Sequence, residues 1–277
     1  MKRIRSLIRQ NKLCAVGVLI IAFFACMALF APQIARYDPE ALVAPAYLKP
    51  SAEPWLGTND VGQDIFAELV YGARVSLKIG LIAAAVVTFV GATVGMVSGY
   101  YKGIVDKFFT ALMNVAMTIP GLPLTILLVA FLKAGMTGMI VAICITSWAG
   151  TARVTRSRVL QIRELPFIQA ERMMGVPGIK ILFKHILPNI SDIILTRAAM
   201  SVGGAMMSES SLSFLGLGTF NAKSWGNILH YAFYRNGVLN NQWWWYLPPI
   251  VCISACMLGF MMISYSGKSR SQLFVRR

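Results

Sequence analysis

LCAVGVLIIAFFACMALFA, residues 13–31, runs for 19 residues without a charge. At about 1.5 Å per residue, a helix of that length spans about 30 Å, the thickness of a bilayer's hydrocarbon core. The segment before it, MKRIRSLIRQNK (1–12), carries five Lys and Arg. A secretory signal also begins basic and then turns apolar, but its apolar part is usually about 7–15 residues and ends at an A-x-A-like site. Here the run is longer and ends in FAP, which reads as a retained anchor helix.

The pattern repeats outward from this run. Apolar stretches recur at about 77–100, 107–132, 135–152, 190–210 and 243–265, six in all with the first. Pro120 and Pro123 stand inside the third, within TIPGLPLTI, and predict a kinked or interrupted helix. Gly91, Gly95 and Gly99 are spaced four apart on one face of the second, a small-xxx-small spacing that admits another helix at close range. Residues 32–76 are polar and hold Pro32, Pro39, Pro45, Pro50 and Pro54, as in an external segment of extended and turn character. The expected fold class is all-α: a polytopic membrane protein of about six transmembrane helices. It divides into an anchor helix with external segment (1–76) and a transmembrane domain (77–277) holding one long loop, 153–188.

Composition agrees. Hydrophobic residues make up 57% of the chain and charged ones 13%, against about 25% charged in a soluble domain. A soluble core cannot absorb that much apolar surface without exposing large patches. The net charge of +15 raises nucleic acid as a partner, but the basic residues cluster in short segments between the apolar runs, as membrane orientation requires. With the N-terminus inside, the inner segments hold 18 Lys and Arg and the outer ones 7, so both termini are expected to be cytoplasmic. Cys14, Cys26, Cys144, Cys252 and Cys256 all fall in apolar runs, where they read as small apolar residues rather than a metal or redox set. Trp243, Trp244, Trp245 and Tyr246 read as an interfacial aromatic belt.

Two ionisable residues fall within the expected membrane. Arg197 lies eight residues past Asn189, about 12 Å in from the inner boundary. Facing lipid there, it would cost at least about 2.5–3.5 kcal/mol. It therefore faces the bundle interior, a partner or water, either lining a translocation path or making a structural ion pair. Glu209 follows at the outer end and is the second candidate for the translocation path, the alternative being an ordinary interfacial acid.

The long loop, RVTRSRVLQIRELPFIQAERMMGVPGIKILFKHILPN (153–189), is basic and helical in pattern. Phe167, Ala170 and Met174, then Ile179, Leu182, Phe183 and Ile186, form two short apolar stripes separated by GVPG (175–178). Two amphipathic helices of this kind either lie on headgroups or dock into a cleft of a soluble partner. Composition alone leaves both open.

In this loop QAERMMGVPGIKILFKHILPN (169–189) resembles the cytoplasmic loop of permease subunits of binding-protein-dependent ABC importers: EAA, three residues, Gly, then a run ending in I-L-P. More closely, the chain resembles the second permease subunit of dipeptide, oligopeptide and nickel importers. LGTNDVGQDIFAELVYGARVSL (56–77) is similar to that family's LGTDxxGRDxxSRLIYGARxSL. GYYKGIVD (99–106), ITSWAGTARVTRSRVL (145–160), ESSLSFLGLG (209–218) and SWG (224–226) match in order. There are departures. EAA reads Gln169, Ala170, Glu171; Gln63 replaces an Arg; and SYSGKSRSQLFVRR (264–277) replaces GDxLRDxLDPR.

The resemblance implies a type I ABC importer permease in a bacterial inner membrane. It would work beside a second homologous permease, two cytoplasmic ATPases and an external solute-binding protein, with lipid around it. Gln169, Ala170, Glu171, Arg172, Met173, Met174 and Gly175 would couple it to the ATPases, Glu171 and Arg172 by charge and the two methionines by filling a cleft. The cargo would be a short peptide, nickel or a metal chelate. ATP would bind the partners. GLGTFNAKS has Ala222 where a P-loop needs Gly, and GKS (267–269) follows Met262 where the first Gly is needed. No cofactor, catalytic constellation or metal-ligand set is read from this chain; His185 and His230 fall on opposite sides. A secondary transporter or channel, the competing class, needs carboxylates within the helices, which are nearly free of charge apart from Arg197.

Overall fold

The computed structural model describes residues 12–132, 135–219 and 222–274, with side chains through Tyr265. The basic segment 1–11, Lys133 and the side chains of the tail, all counted in the charge bias, lie outside the described residues. The helices are α1 (Lys12–Leu29), α2 (Ala31–Ile34), α3 (Ile65–Tyr101), α4 (Gly103–Thr118), α5 (Gly121–Phe131), α6 (Met136–Arg163), α7 (Pro166–Met173), α8 (Gly178–Ile181), α9 (Leu187–Leu212), α10 (Trp225–Tyr234) and α11 (Trp243–Phe274). A π-turn, Leu182–Ile186, joins α8 to α9, and another, Ser213–Leu217, ends α9.

Among the described residues, four helices are long and apolar enough to cross a membrane: α1, α3, α6 and α11 over Trp243–Tyr265. A fifth span is broken, with α4 and α5 bent by 89°. The break falls at Ile119–Pro120, where proline supplies no N–H and its ring excludes the preceding helical turn. The sixth apolar run is α9, whose 26 residues reach about 39 Å but include Asp192, Arg197 and Glu209.

α3 begins at Ile65, twelve residues before the apolar run expected at 77, so the external segment ends at Asp64. The Asp64 carboxylate caps the helix by accepting from the Phe66 and Ala67 N–H groups, each at 3.2 Å. The extra turns read as polar because of Glu68 and Arg74, yet most of their residues are buried, and Glu68 and Ser76 find partners across the chain while Arg74 stays exposed.

α3 and α6 form the spine. Gly91, Gly95 and Gly99 lie directly against α6: a Cβ on each would stand 2.7 Å from Thr151, 2.5 Å from the Ala152 carbonyl oxygen and 2.8 Å from Val159. The main core joins α1, α3, α9, α10 and α11 around Trp225, Met206 and Phe24. α1 packs on α11 where Gly17 meets the Gly259 backbone. Cys252 and Cys256 are buried there with free thiols. The aromatic group 243–246 departs from a surface belt. Trp244 and Trp245 are buried in the core and only Trp243 is half exposed, because the 42–63 segment folds back and covers them.

Candidate functional site

Between α6 and α9 the chain folds into a docked bracket. Pro166 sits in the first turn of α7, where its missing N–H leaves no gap in the ladder. The Met174 N–H returns to the Ala170 carbonyl, and Gly175, at φ 76°, reverses the chain. A side chain disfavours that angle, and nothing lies within 4 Å of where a Cβ would stand; backbone conformation, not crowding, calls for glycine. α8 then runs through the π-turn into α9 with no intervening loop.

One face of the bracket is buried. Ile168, Ile181 and Ile186 are wholly covered, packed on Met96 and Tyr100 of α3 and on Val159 and Ile162 of α6. Arg163 donates to the Tyr100 carbonyl at 2.5 Å, and the guanidinium groups of Arg163 and Arg172 each lie 5.9 Å from the Tyr100 ring centre. Lys102 donates to Glu164 at 2.7 Å and holds that carboxyl below its ordinary range. Glu171 Oε1 stands 2.8 Å from His185 Nε2, an ion-pair distance without hydrogen-bond alignment, and ties α7 to the π-turn.

The other face is open and apolar. Met173 is 88% exposed and Met174 72%, and Phe167 is exposed as well, while the exposed Ile179 and Phe183 line an apolar groove with α3 and α9. The two stripes read from the sequence therefore divide. Leu182 and Ile186 turn into the bracket's core with Ile168 and Ile181, while Phe167, Ala170, Met174, Ile179 and Phe183 turn out. Helices this short bury only one side, and isoleucine occupies it. Of the charged residues assigned to a partner surface, Arg172 is open, whereas Glu171 is half-buried against His185. Gln169, Ala170 and Gly175 are exposed.

At the other end of the bundle Glu209 is fully buried. It accepts from three serines: Ser76 of α3 at 3.1 Å, its neighbour Ser210 at 3.3 Å and Ser213 at 2.8 Å. Ser76 also accepts from the Trp225 N–H at 3.3 Å, so one carboxylate ties α3, α9 and α10 together. Glu209 lines no opening. Arg197 stands twelve residues away, about 18 Å along α9, beside a cavity between α6 and α9. The structure does not bring the two together.

Two features escaped the sequence reading. α10 is a helix capped by Ser224, which accepts from Asn227 N–H at 3.2 Å; its signal was the Ser of SWG followed by an apolar stretch. Trp225 is completely buried, packs on Phe24 at 5.3 Å and donates Nε1 to the Leu69 carbonyl at 2.9 Å. The other is Lys223, whose ammonium donates to Glu68 at 2.5 Å and to Gln63 at 2.8 Å, while Asn59 donates to both at 3.0 and 2.9 Å. Gln63, standing where the resembling family has Arg, is a neutral member of this network, and Lys223 supplies the cation at Glu68.

An all-helical bundle with one broken span and a short helical bracket locked beneath it defines a polytopic permease of the kind found in ABC importers. The solved MetNI methionine ABC transporter, in inward-facing conformations, has the same fold: TM-score 0.58 over 74% of this chain and 95% of that chain, at 17% identity. The family model described as "Binding-protein-dependent transport system inner membrane component" matches residues 91–266, and "N-terminal TM domain of oligopeptide transport permease C" matches residues 1–51. The chain belongs to the family of binding-protein-dependent ABC transport permeases. Oligopeptide transport system permease protein OppC of Bacillus subtilis (strain 168) is 34% identical over 92% of this chain and 83% of its own length. Glutathione transport system permease protein GsiD of Pectobacterium atrosepticum is 34% identical over 82% of this chain and 76% of its own. Nickel transport system permease protein NikC of Escherichia coli (strain K12) is 33% identical over 78% of this chain and 79% of its own.

Proposed function

We propose that this permease subunit of an ABC importer forms, with a second homologous permease, the path for a short peptide or a nickel or other metal chelate, and works by alternating access. An external solute-binding protein delivers the cargo, and two cytoplasmic ATPases bind and hydrolyse the ATP. Both termini and the bracket face the cytoplasm, a reading supported by the bias of 18 inner to 7 outer Lys and Arg. Relatives named for oligopeptides, glutathione and nickel support the cargo class.

The observation that carries the mechanism is the two-faced bracket. A soluble ATPase moves membrane helices only through a contact that does not yield. Here the isoleucine face is locked to α3 and α6, while Met173 and Met174 present flexible, polarisable side chains to a cleft. Met173→Glu with Met174→Glu changes only exposed atoms. The double variant is expected to insert and fold normally, yet to lose ATPase co-purification and transport-coupled hydrolysis in vesicles. Retained ATPase binding with full uptake would remove the bracket from the coupling role.

A further inference from the structure

A cavity of about 300 Å³ opens between α6 and α9, walled on its polar side by Ser147 and Thr151 of α6 and by Arg197, Ser201 and Ser208 of α9. Among the described residues, Arg197 is the only ionisable one in its lining. It forms no ion pair among the described residues, and its Nε is buried without a hydrogen-bond partner. The buried Thr151 hydroxyl beside it is likewise unpartnered. Gly204 leaves room in the wall, since nothing lies within 4 Å of where its Cβ would stand. An unsatisfied buried donor costs free energy, and an unpaired cation in a membrane costs more. A guanidinium presents a planar fork of donors that matches a carboxylate in two parallel hydrogen bonds.

We propose, resting on the permease reading above, that this cavity is a carboxylate subsite of the translocation path. Arg197 takes the free carboxylate of the passing solute through the terminal nitrogens of its guanidinium, the Nε being covered. The site admits a peptide through its C-terminus, or a metal through the acid groups of its chelator. A bare divalent cation meets an uncompensated positive charge there and is rejected.

Two experiments test this, and the first does not depend on the importer reading. In a chain whose five native cysteines are replaced, Ser208→Cys is modified with anionic methanethiosulfonate ethylsulfonate and with its cationic ethyltrimethylammonium counterpart. Relative to a free thiol, the anionic reagent is expected to be favoured at least about tenfold, and Arg197→Gln to abolish that preference. Equal rates with Arg197 present would overturn the subsite. The second uses the assembled importer in vesicles with trialanine, trialanine amide, nickel chloride and a nickel–histidine complex. Arg197→Gln is expected to slow trialanine at least about tenfold and Arg197→Lys to slow it less, while the low uptake of the amide does not change. An effect confined to nickel–histidine identifies the chelator as the source of the carboxylate. Unchanged uptake of both carboxylate probes would overturn the proposal. If Arg197→Gln fails to assemble, Gly204→Val decides: its Cβ meets nothing within 4 Å and its side chain narrows the cavity, and full transport through it would overturn the subsite. If the wild type moves none of the probes, the importer reading falls while the labelling result still judges the cavity.

Discussion

Gly95→Ala tests the contact on which the rest of the bundle is assembled. The added methyl would stand 2.5 Å from the Ala152 carbonyl oxygen, 2.7 Å from Thr155 Cβ and 3.0 Å from the Arg156 nitrogen. Two of those atoms are backbone and cannot rotate away. Non-bonded carbon contacts settle near about 3.5–4.0 Å, so α3 and α6 must part locally by about 1 Å. Overpacking of this kind costs about 1–3 kcal/mol. Alanine returns about 1 kcal/mol of helix propensity over glycine, which would mask part of the loss. Gly204→Ala removes the ambiguity. It makes the same exchange within α9, where the new methyl meets nothing within 4 Å. The difference between the variants is then the packing penalty alone, about 1–3 kcal/mol in favour of Gly204→Ala. It is read as the shift in the midpoint of helix loss on titrating purified protein with SDS, or in the temperature at which the monodisperse peak disappears. Equal midpoints would refute the close α3–α6 contact. The bracket sits at the end of that same interface, on Met96 and Tyr100, so Gly95→Ala is also expected to weaken ATPase binding without touching the bracket itself.

Lys223→Met strands Glu68, whose side chain is 3% exposed, and is expected to cost about 3–5 kcal/mol; adding Glu68→Gln recovers most of it, and a thermal melt of the three proteins reads the cycle. Glu209→Leu leaves the hydroxyls of Ser76, Ser210 and Ser213 without their buried acceptor, at about 1–3 kcal/mol each, so it should not accumulate in membranes, whereas Glu209→Gln, which keeps an acceptor, should. In a cysteine-free chain, Ser51→Cys labels from outside intact cells and Gln161→Cys only after the inner face is opened; the reverse would invert the orientation. Lys102 lowers the Glu164 carboxyl, so that contact is present above the ordinary carboxylate range and is lost only as pH falls through the depressed value. In a His185→Gln chain, which removes the imidazole facing Glu171, bracket docking is therefore expected to be indifferent to pH between 6 and 8, which hydrogen exchange of residues 164–175 measures.

The helices were legible where physics is local. Uncharged runs of bilayer length announced α1, α6 and α11, Pro120 and Pro123 announced the bend, and the glycine spacing announced a face fit for another helix. What the sequence hid depends on partners distant along the chain. The first turns of α3 look external because Glu68 is polar, and only Asn59 and Lys223, 155 residues on, make its burial affordable. Trp244 and Trp245 have the composition of a surface belt, and nothing in their own segment reports that residues 42–63 fold over them. The apolar stripes of the bracket were visible, but which stripe faced α3 was not, because helices of one or two turns carry too few residues for periodicity to choose a side. Glu209 reads as an isolated acid, and nothing in its own segment reports that three serine donors, one of them 133 residues away, also make it a tie between helices.

These placements give α9 a particular mechanical position. It leaves the bracket through the π-turn Leu182–Ile186 with no loop between. Its far end is held by the Glu209 tie to α3 and α10. A rod held at one end and displaced at the other pivots about the held end, and each point moves in proportion to its distance from it. Arg197 lies eleven residues past Ile186, about 16 Å along the rod, on the driven side of the tie. Its cavity is formed against α6, whose glycine-packed interface with α3 carries the other half of the bracket's grip. Arg197 therefore stands on the stretch of α9 between the bracket and the tie, beside the cavity against α6, while Glu209 belongs to the tie itself, so the two charges occupy different heights of one helix.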